Sequence, residues 1–145
     1  MTFNNLNSDD TMTPLVSEEA IKGLYVQAYQ HYEGGKYEDA VHFFRFLTTV
    51  EMTKKRNWMG LGASLQMVTD FDKAIEAFAF ATLLDENDPY PHIYAAECLF
   101  SLGKMSEGSE ALAFAEKTAV LHEKKNEINS RIALLQHAWC HEKTK

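Results

Sequence analysis

Cysteine is scarce in this chain. The two residues present, Cys98 and Cys140, lie far apart and form no CxxC pair, which fits a reducing compartment better than a disulfide framework, and both thiols are expected to be free. Cations are also few: 14 Lys and Arg against 21 Asp and Glu leave a formal charge of -7. That balance opposes wrapping around a phosphate backbone, because nucleic-acid affinity rests on Lys and Arg displacing counterions, so no nucleic acid is expected as partner. The short basic cluster Lys54-Lys55-Arg56 reads as the solvated start of a helix. Residues 1–16, MTFNNLNSDDTMTPLV, have neither a basic start nor a continuous apolar run. They are read as a flexible segment, neither a secretory signal nor a membrane span, which predicts a cytoplasmic protein with no direct membrane insertion.

Reactive constellations are missing as well. There is no Gly-rich phosphate loop, GxSxG elbow or pair of catalytic carboxylates, so neither an enzyme nor a cofactor site is expected. His122-Glu123 opens like a zinc-protease motif, but Asn126 stands where the second histidine belongs. The stretch DENDPYP, 85–91, gathers Asp85, Asn87 and Asp88, yet Pro89 and Tyr90 fall where a calcium loop needs a ligand and a glycine, so it reads as a turn. In HAWCH, His137, Cys140 and His141 share one side of a helix, but a structural zinc needs a fourth ligand that the tail does not supply. The simpler reading turns Trp139 inward and the histidines to water, with no metal.

What the chain does have is an internal period. An offset of 34 residues aligns Ala28, Gly62 and Ala96; Ala40, Ala74 and Gly108; Phe44, Phe78 and Leu112; and Leu47, Ala81 and Ala115. A 34-residue period carrying Trp-x2-Leu-Gly and then Ala-x3-Phe is the signature of the tetratricopeptide repeat, a helix-turn-helix unit. The middle copy matches it best, through Trp58, Leu61, Gly62, Ala74, Phe78 and Ala81. Small residues let one helix approach its partner and the phenylalanines fill the adjoining gap. Turn signals at Gly34-Gly35, Thr69-Asp70 and Gly103-Lys104, with Pro89 and Pro91 between the second and third copies, give repeats at about 21–54, 55–88 and 89–122. Ile128, Ile132, Leu135 and Trp139 keep a helical rhythm over 123–143 with no 34-residue match to the earlier copies, which predicts a capping helix. The expected architecture is therefore all-α: one domain over 17–143, a solenoid of three repeats closed by that helix.

In tetratricopeptide solenoids the first helix of each pair lines the concave face, through repeat positions 2, 5, 6, 9, 12 and 13. Carried onto this chain, that rule selects Lys22, Tyr25, Val26, Tyr29, Tyr32 and Glu33 in the first copy. It selects Arg56, Met59, Gly60, Ala63, Gln66 and Met67 in the second, and Tyr90, Ile93, Tyr94, Glu97, Phe100 and Ser101 in the third. The expected groove is an apolar trough with hydroxyl edges, suited to a peptide, since tyrosine buries area at modest entropy cost and methionine adapts its shape. An aromatic stripe at helical spacing is equally a core feature, so single members carry less weight than the set. Clamping a heat-shock C-terminus would need Lys, Arg and Asn where Tyr25, Tyr29, Met59, Ala63, Tyr90 and Tyr94 stand, and would bury carboxylates unpaired.

GLYVQAYQHYEGGKYEDAVHFFRFLTTVE, 23–51, resembles the class II chaperones of bacterial type III secretion, and the resemblance continues through 58–104. Its most telling features are the Leu-Tyr-x3-Tyr run, the Phe-Phe-Arg-Phe-Leu segment and the stretch beginning at Pro91. Members are small, acidic, cytosolic proteins of three repeats that hold two hydrophobic translocator proteins before export. The resemblance implies a non-catalytic chaperone whose groove takes an extended translocator segment, keeping the translocators soluble and apart. Tyr25, Tyr29, Tyr32, Met59, Met67, Tyr90, Ile93, Tyr94 and Phe100 are the implied contact residues. Homodimer formation, often through a longer N-terminal helical extension, is a further family property; here about twenty residues precede the first repeat. A scaffold for a soluble complex unrelated to secretion is the alternative.

Overall fold

Ser17 begins the helical part of the chain: its Oγ accepts the Ala20 N–H at 3.2 Å, and Glu18 and Glu19 fill the first turn, where carboxylates suit the positive end of a helix. Seven helices follow among the described residues, with no strand: α1 (Glu18–Glu33), α2 (Tyr37–Val50), α3 (Lys55–Met67), α4 (Phe71–Leu84), α5 (Tyr90–Ser101), α6 (Met105–Ala119) and α7 (Lys125–Glu142). The computed structural model describes residues 16–142, with side chains as far as Trp139. Residues 1–15 of the expected flexible segment, and the Cys140 and His141 side chains of the metal reading, lie outside the described residues and side chains.

The turn within each pair is the same motif three times. Gly35, Thr69 and Gly103, spaced by 34, have φ of 77°, 64° and 78°. The next N–H in each case reaches back five residues: Lys36 to the His31 carbonyl at 2.8 Å, Asp70 to Leu65 at 2.9 Å and Lys104 to Leu99 at 2.9 Å. This is the left-handed helix cap that satisfies carbonyls at a helix end, and it favours glycine. Thr69 is β-branched and sits there at a cost of about 1 kcal/mol. Thr69→Gly is therefore expected to stabilise the protein by about 0.5 kcal/mol, net of the greater freedom of glycine in the unfolded chain. Thermal unfolding checks this; a fall in Tm would mean that the Thr69 hydroxyl, which donates to the Val68 carbonyl at 2.6 Å, outweighs the backbone strain.

Side chains fasten the turns between pairs. Asn57, fully buried, donates to the Glu51 carbonyl at 3.3 Å and to Glu51 Oε1 at 3.2 Å, and Trp58 Nε1 donates to the Met52 carbonyl at 2.7 Å. In the DENDPYP turn, Lys55 Nζ meets Asp85 Oδ2 at 2.9 Å and Asp88 Oδ2 at 2.8 Å, while the other Asp88 oxygen accepts the Tyr90 N–H at 2.9 Å at the start of α5. The acidic cluster serves a lysine and a helix start.

Packing explains the period. Ala28, Ala40, Ala74, Ala81, Ala96 and Ala115 are wholly buried, as are Phe44 and Phe78 to within 2%. A Cβ added to Gly62 would lie 2.6 Å from Phe78 Cε1, and one added to Gly60 would lie 2.3 Å from Phe44 Cε1, so α3 approaches its neighbours as only glycine permits. One core cluster joins the first two pairs and reaches Cys98; a second joins α5, α6 and α7 through Ile93, Phe100, Leu112, Ile128 and Ile132. Cys98 is a buried free thiol whose pKa burial pushes up to about 12, which keeps it inert.

The seventh helix packs on the end of the third pair, where the sequence predicts a capping helix. In register, the 34-residue offset places Ser130 in the column of Ala28, Gly62 and Ala96, and Arg131 in that of Tyr29, Ala63 and Glu97. Ser130 is exposed, whereas Ala28, Gly62 and Ala96 are buried.

Candidate partner-binding groove

A groove of about 640 Å³ runs across α1, α3, α5 and the side of α7. From α1 come Tyr25, Tyr29 and Tyr32; from α3, Lys55, Arg56, Met59, Gly60, Ala63, Gln66 and Met67; from α5, Tyr94 and Glu97. These residues recur on three helices because the pairs repeat, so equivalent positions face the same side. Phe44 of α2 reaches the groove over Gly60. Its ring meets Tyr25 edge-on at 6.1 Å, and Tyr25 stacks with Tyr29 at 6.4 Å. Tyr29 and Met67 are half-exposed, at 50% and 46%.

Six of the nine expected contact residues, Tyr25, Tyr29, Tyr32, Met59, Met67 and Tyr94, are brought together here. The other three are not. Ile93 is wholly buried, and Phe100, 3% exposed, lies on Gly108 and stacks with Trp139 at 5.4 Å. Tyr90 stacks with Tyr94 at 6.4 Å but turns to His122 and the second core cluster. The reason is that α5 packs on α4, α6 and α7, so half of its twelve residues are buried and less of it faces the groove. The repeat rule assumes a helix open on its inner side, and α7 covers part of that side. The same helix supplies a groove residue that sequence reasoning passed over, Arg131. Its place in the column of Tyr29, Ala63 and Glu97 is the signal that would have found it.

Polar groups in the groove form two sets. Glu97 accepts from Gln66 Nε2 at 2.9 Å and from Arg131 Nη2 at 2.7 Å, tying α3, α5 and α7 together. The Arg131 guanidinium lies 5.0 Å over the Tyr94 ring; burial opposes its charge, but the bond to Glu97 outweighs this and raises its pKa. At the other end, Arg56 lies 4.2 Å over the Tyr25 ring. The basic cluster read as a solvated helix start thus sends Lys55 into two ion pairs and Arg56 onto an aromatic face. The Glu33 carboxylate beside Tyr29 raises the pKa of that phenol, and burial beside Tyr37 raises that of Tyr32. Both therefore present neutral hydroxyls at neutral pH. The groove can receive apolar side chains on its floor and bond a backbone at its rim. Among the described residues, no group of three or more His, Cys, Asp or Glu could hold a metal ion, and no helix is long and apolar enough to cross a membrane.

Comparison with known proteins gives a consistent result. The tetratricopeptide repeat family model matches residues 19–51 and 57–88. The third copy, outside that match, has Gly108 and Leu112 where the others have alanine and phenylalanine. Low calcium response locus protein H of Yersinia pestis is 29% identical over 123 residues, 85% of this chain and 73% of that protein. The type III secretion translocator chaperone SycD of Yersinia enterocolitica is 30% identical, with a TM-score of 0.78 over 84% of this chain and 91% of that one. PcrH of Pseudomonas aeruginosa, crystallised with the chaperone binding region of PopD, is 26% identical with a TM-score of 0.82, over 89% and 97% of the two chains.

Proposed function

Since the chain belongs to the class II chaperones of type III secretion, a tetratricopeptide-repeat family, we propose that its groove holds an extended segment of a hydrophobic translocator protein. The observation that carries this reading is the groove itself: an apolar floor of Phe44, Met59, Ala63 and Met67, rimmed by Tyr25, Tyr29, Tyr32 and Tyr94. An extended segment must place its side chains and satisfy its backbone at once. Methionines and the small residues over Phe44 accommodate the first need; tyrosine hydroxyls and the Gln66 amide serve the second.

Binding shields apolar surface that would otherwise aggregate or enter a membrane early, and keeps one translocator from associating with another. The work is binding alone, with no bond made or broken, and it takes place in the cytoplasm, where the client waits for export. The chaperone proper is the three repeats and α7. A second copy of the chain is a further partner in this reading, as SycD is also known in an alternative dimer.

Affinity purification from the bacterium of origin, followed by co-expression with the captured protein, separates this from a scaffold. The expected client has long apolar segments and moves from the pellet to the soluble fraction when the chaperone is present. A polar partner whose solubility does not change would replace the chaperone reading with the scaffold.

A further inference from the structure

We infer that Arg56 is the charge anchor of the groove, taking a side-chain carboxylate of the bound segment and thereby selecting which segment binds and in which register. This rests on the groove being the client site. Three cations line the groove, and two are already committed: Lys55 to Asp85 and Asp88 at 2.9 and 2.8 Å, Arg131 to Glu97 at 2.7 Å. Arg56 is different. The carboxylate it approaches, Glu51, stands 3.9 Å away, beyond hydrogen-bond distance, and its Oε1 already accepts from Asn57 at 3.2 Å.

The guanidinium is nevertheless held in place. It lies 4.2 Å over the Tyr25 ring, and a stacked guanidinium keeps its edge N–H groups free for a planar, two-pronged acceptor. The side chain is 47% exposed, so those donors reach the groove without a change of fold. An arginine oriented by an aromatic face, in an apolar trough, without a close ion pair, is prepared for a carboxylate. The chain as a whole carries -7, so an acidic segment is repelled generally and welcomed at this end. A segment with lysine or arginine there meets Arg56 and is rejected, which is how one charge sets both choice and register.

A display library of random dodecapeptides, joined to the carrier at both ends so that only side-chain carboxylates are on offer, tests this. It is selected on the full chain, on Arg56→Glu and on Tyr29→Glu, Met67→Glu. On the wild type, Asp and Glu are expected to be enriched about tenfold at a fixed distance from a pair of apolar residues. On Arg56→Glu the preference should reverse to Lys and Arg, with a cooperative melting curve showing that the fold is kept. Apolar enrichment without a charge preference, or the same preference on both proteins, overturns the anchor and leaves the groove standing. Enrichment confined to a parallel library with free C-termini assigns Arg56 to a terminal carboxylate and overturns the side-chain source. If the Tyr29→Glu, Met67→Glu protein enriches the wild-type sequences, the groove reading falls and the anchor with it.

Discussion

Tyr29→Glu combined with Met67→Glu is expected to weaken binding of a translocator segment by at least about a hundredfold, roughly 3 kcal/mol. Both side chains line the groove and both are half-exposed, so the free protein loses little by their replacement. The bound state loses much more: each glutamate must give up its water as the segment closes over it, and a carboxylate buried without a partner costs several kcal/mol. Tyr29 also gives up its stacking on Tyr25 and a hydroxyl that Glu33 keeps protonated. Calorimetric titration with the captured segment measures the affinity, and a melting curve confirms an unchanged fold. Wild-type affinity in the double variant would place the client elsewhere on the molecule.

Gly62→Val addresses the scaffold that shapes the groove, and is expected to destabilise the protein by about 3 kcal/mol, lowering Tm by about 10 °C. A Cβ at this position would sit 2.6 Å from Phe78 Cε1 and 2.8 Å from Cδ1 and Cζ. Phe78 is 1% exposed and touches the Tyr94 ring at 5.6 Å, so it has nowhere to swing. Alanine here would recover about 1 kcal/mol of helix propensity over glycine; valine recovers less and adds two more carbons to the clash. Displacing Phe78 moves Tyr94, so client affinity should fall together with stability. Combining Gly62→Val with Phe78→Ala should cost less than the sum of the two, because they share one gap. Denaturant unfolding of the three variants measures both effects, and strict additivity would mean that Gly62 and Phe78 are not fitted to each other.

Much of this architecture is legible because close packing leaves few choices. Wherever two helices approach as closely as α3 does its neighbours, a small residue must face a large one, and the rule recurs at each pair. The turns are legible from their residues at all three places, Gly34-Gly35, Thr69-Asp70 and Gly103-Lys104, though Thr69 holds the conformation against its own preference. Depth was less legible. Phe46, Phe80 and Phe114 repeat at the same period, yet all three are exposed, at 43%, 49% and 56%, two of them stacked on Trp58 and His92. A conserved spacing within the chain reports equivalent places, and burial depends on what covers them. The failures at Ile93 and Phe100 have that origin: Ile93 packs into the core of α5, α6 and α7, and Phe100 lies between Gly108 and Trp139. Arg131 was missed because its column holds a tyrosine, an alanine and a glutamate, which share a position and no chemistry.

The terminal position of α7 among the described helices has a consequence for how the groove can open. In a stacked array, stability is a sum of neighbouring interfaces, and the helix with neighbours on one side only opens at the least cost. Of the two terminal helices, α7 is the more weakly packed, anchored by Ile128 and Ile132 with Leu134 left 70% exposed. When its eighteen residues fray, Arg131 withdraws, Glu97 is left facing Gln66 alone, and the groove loses its end wall. The groove can then open at this end by melting one terminal helix while the three pairs stay folded.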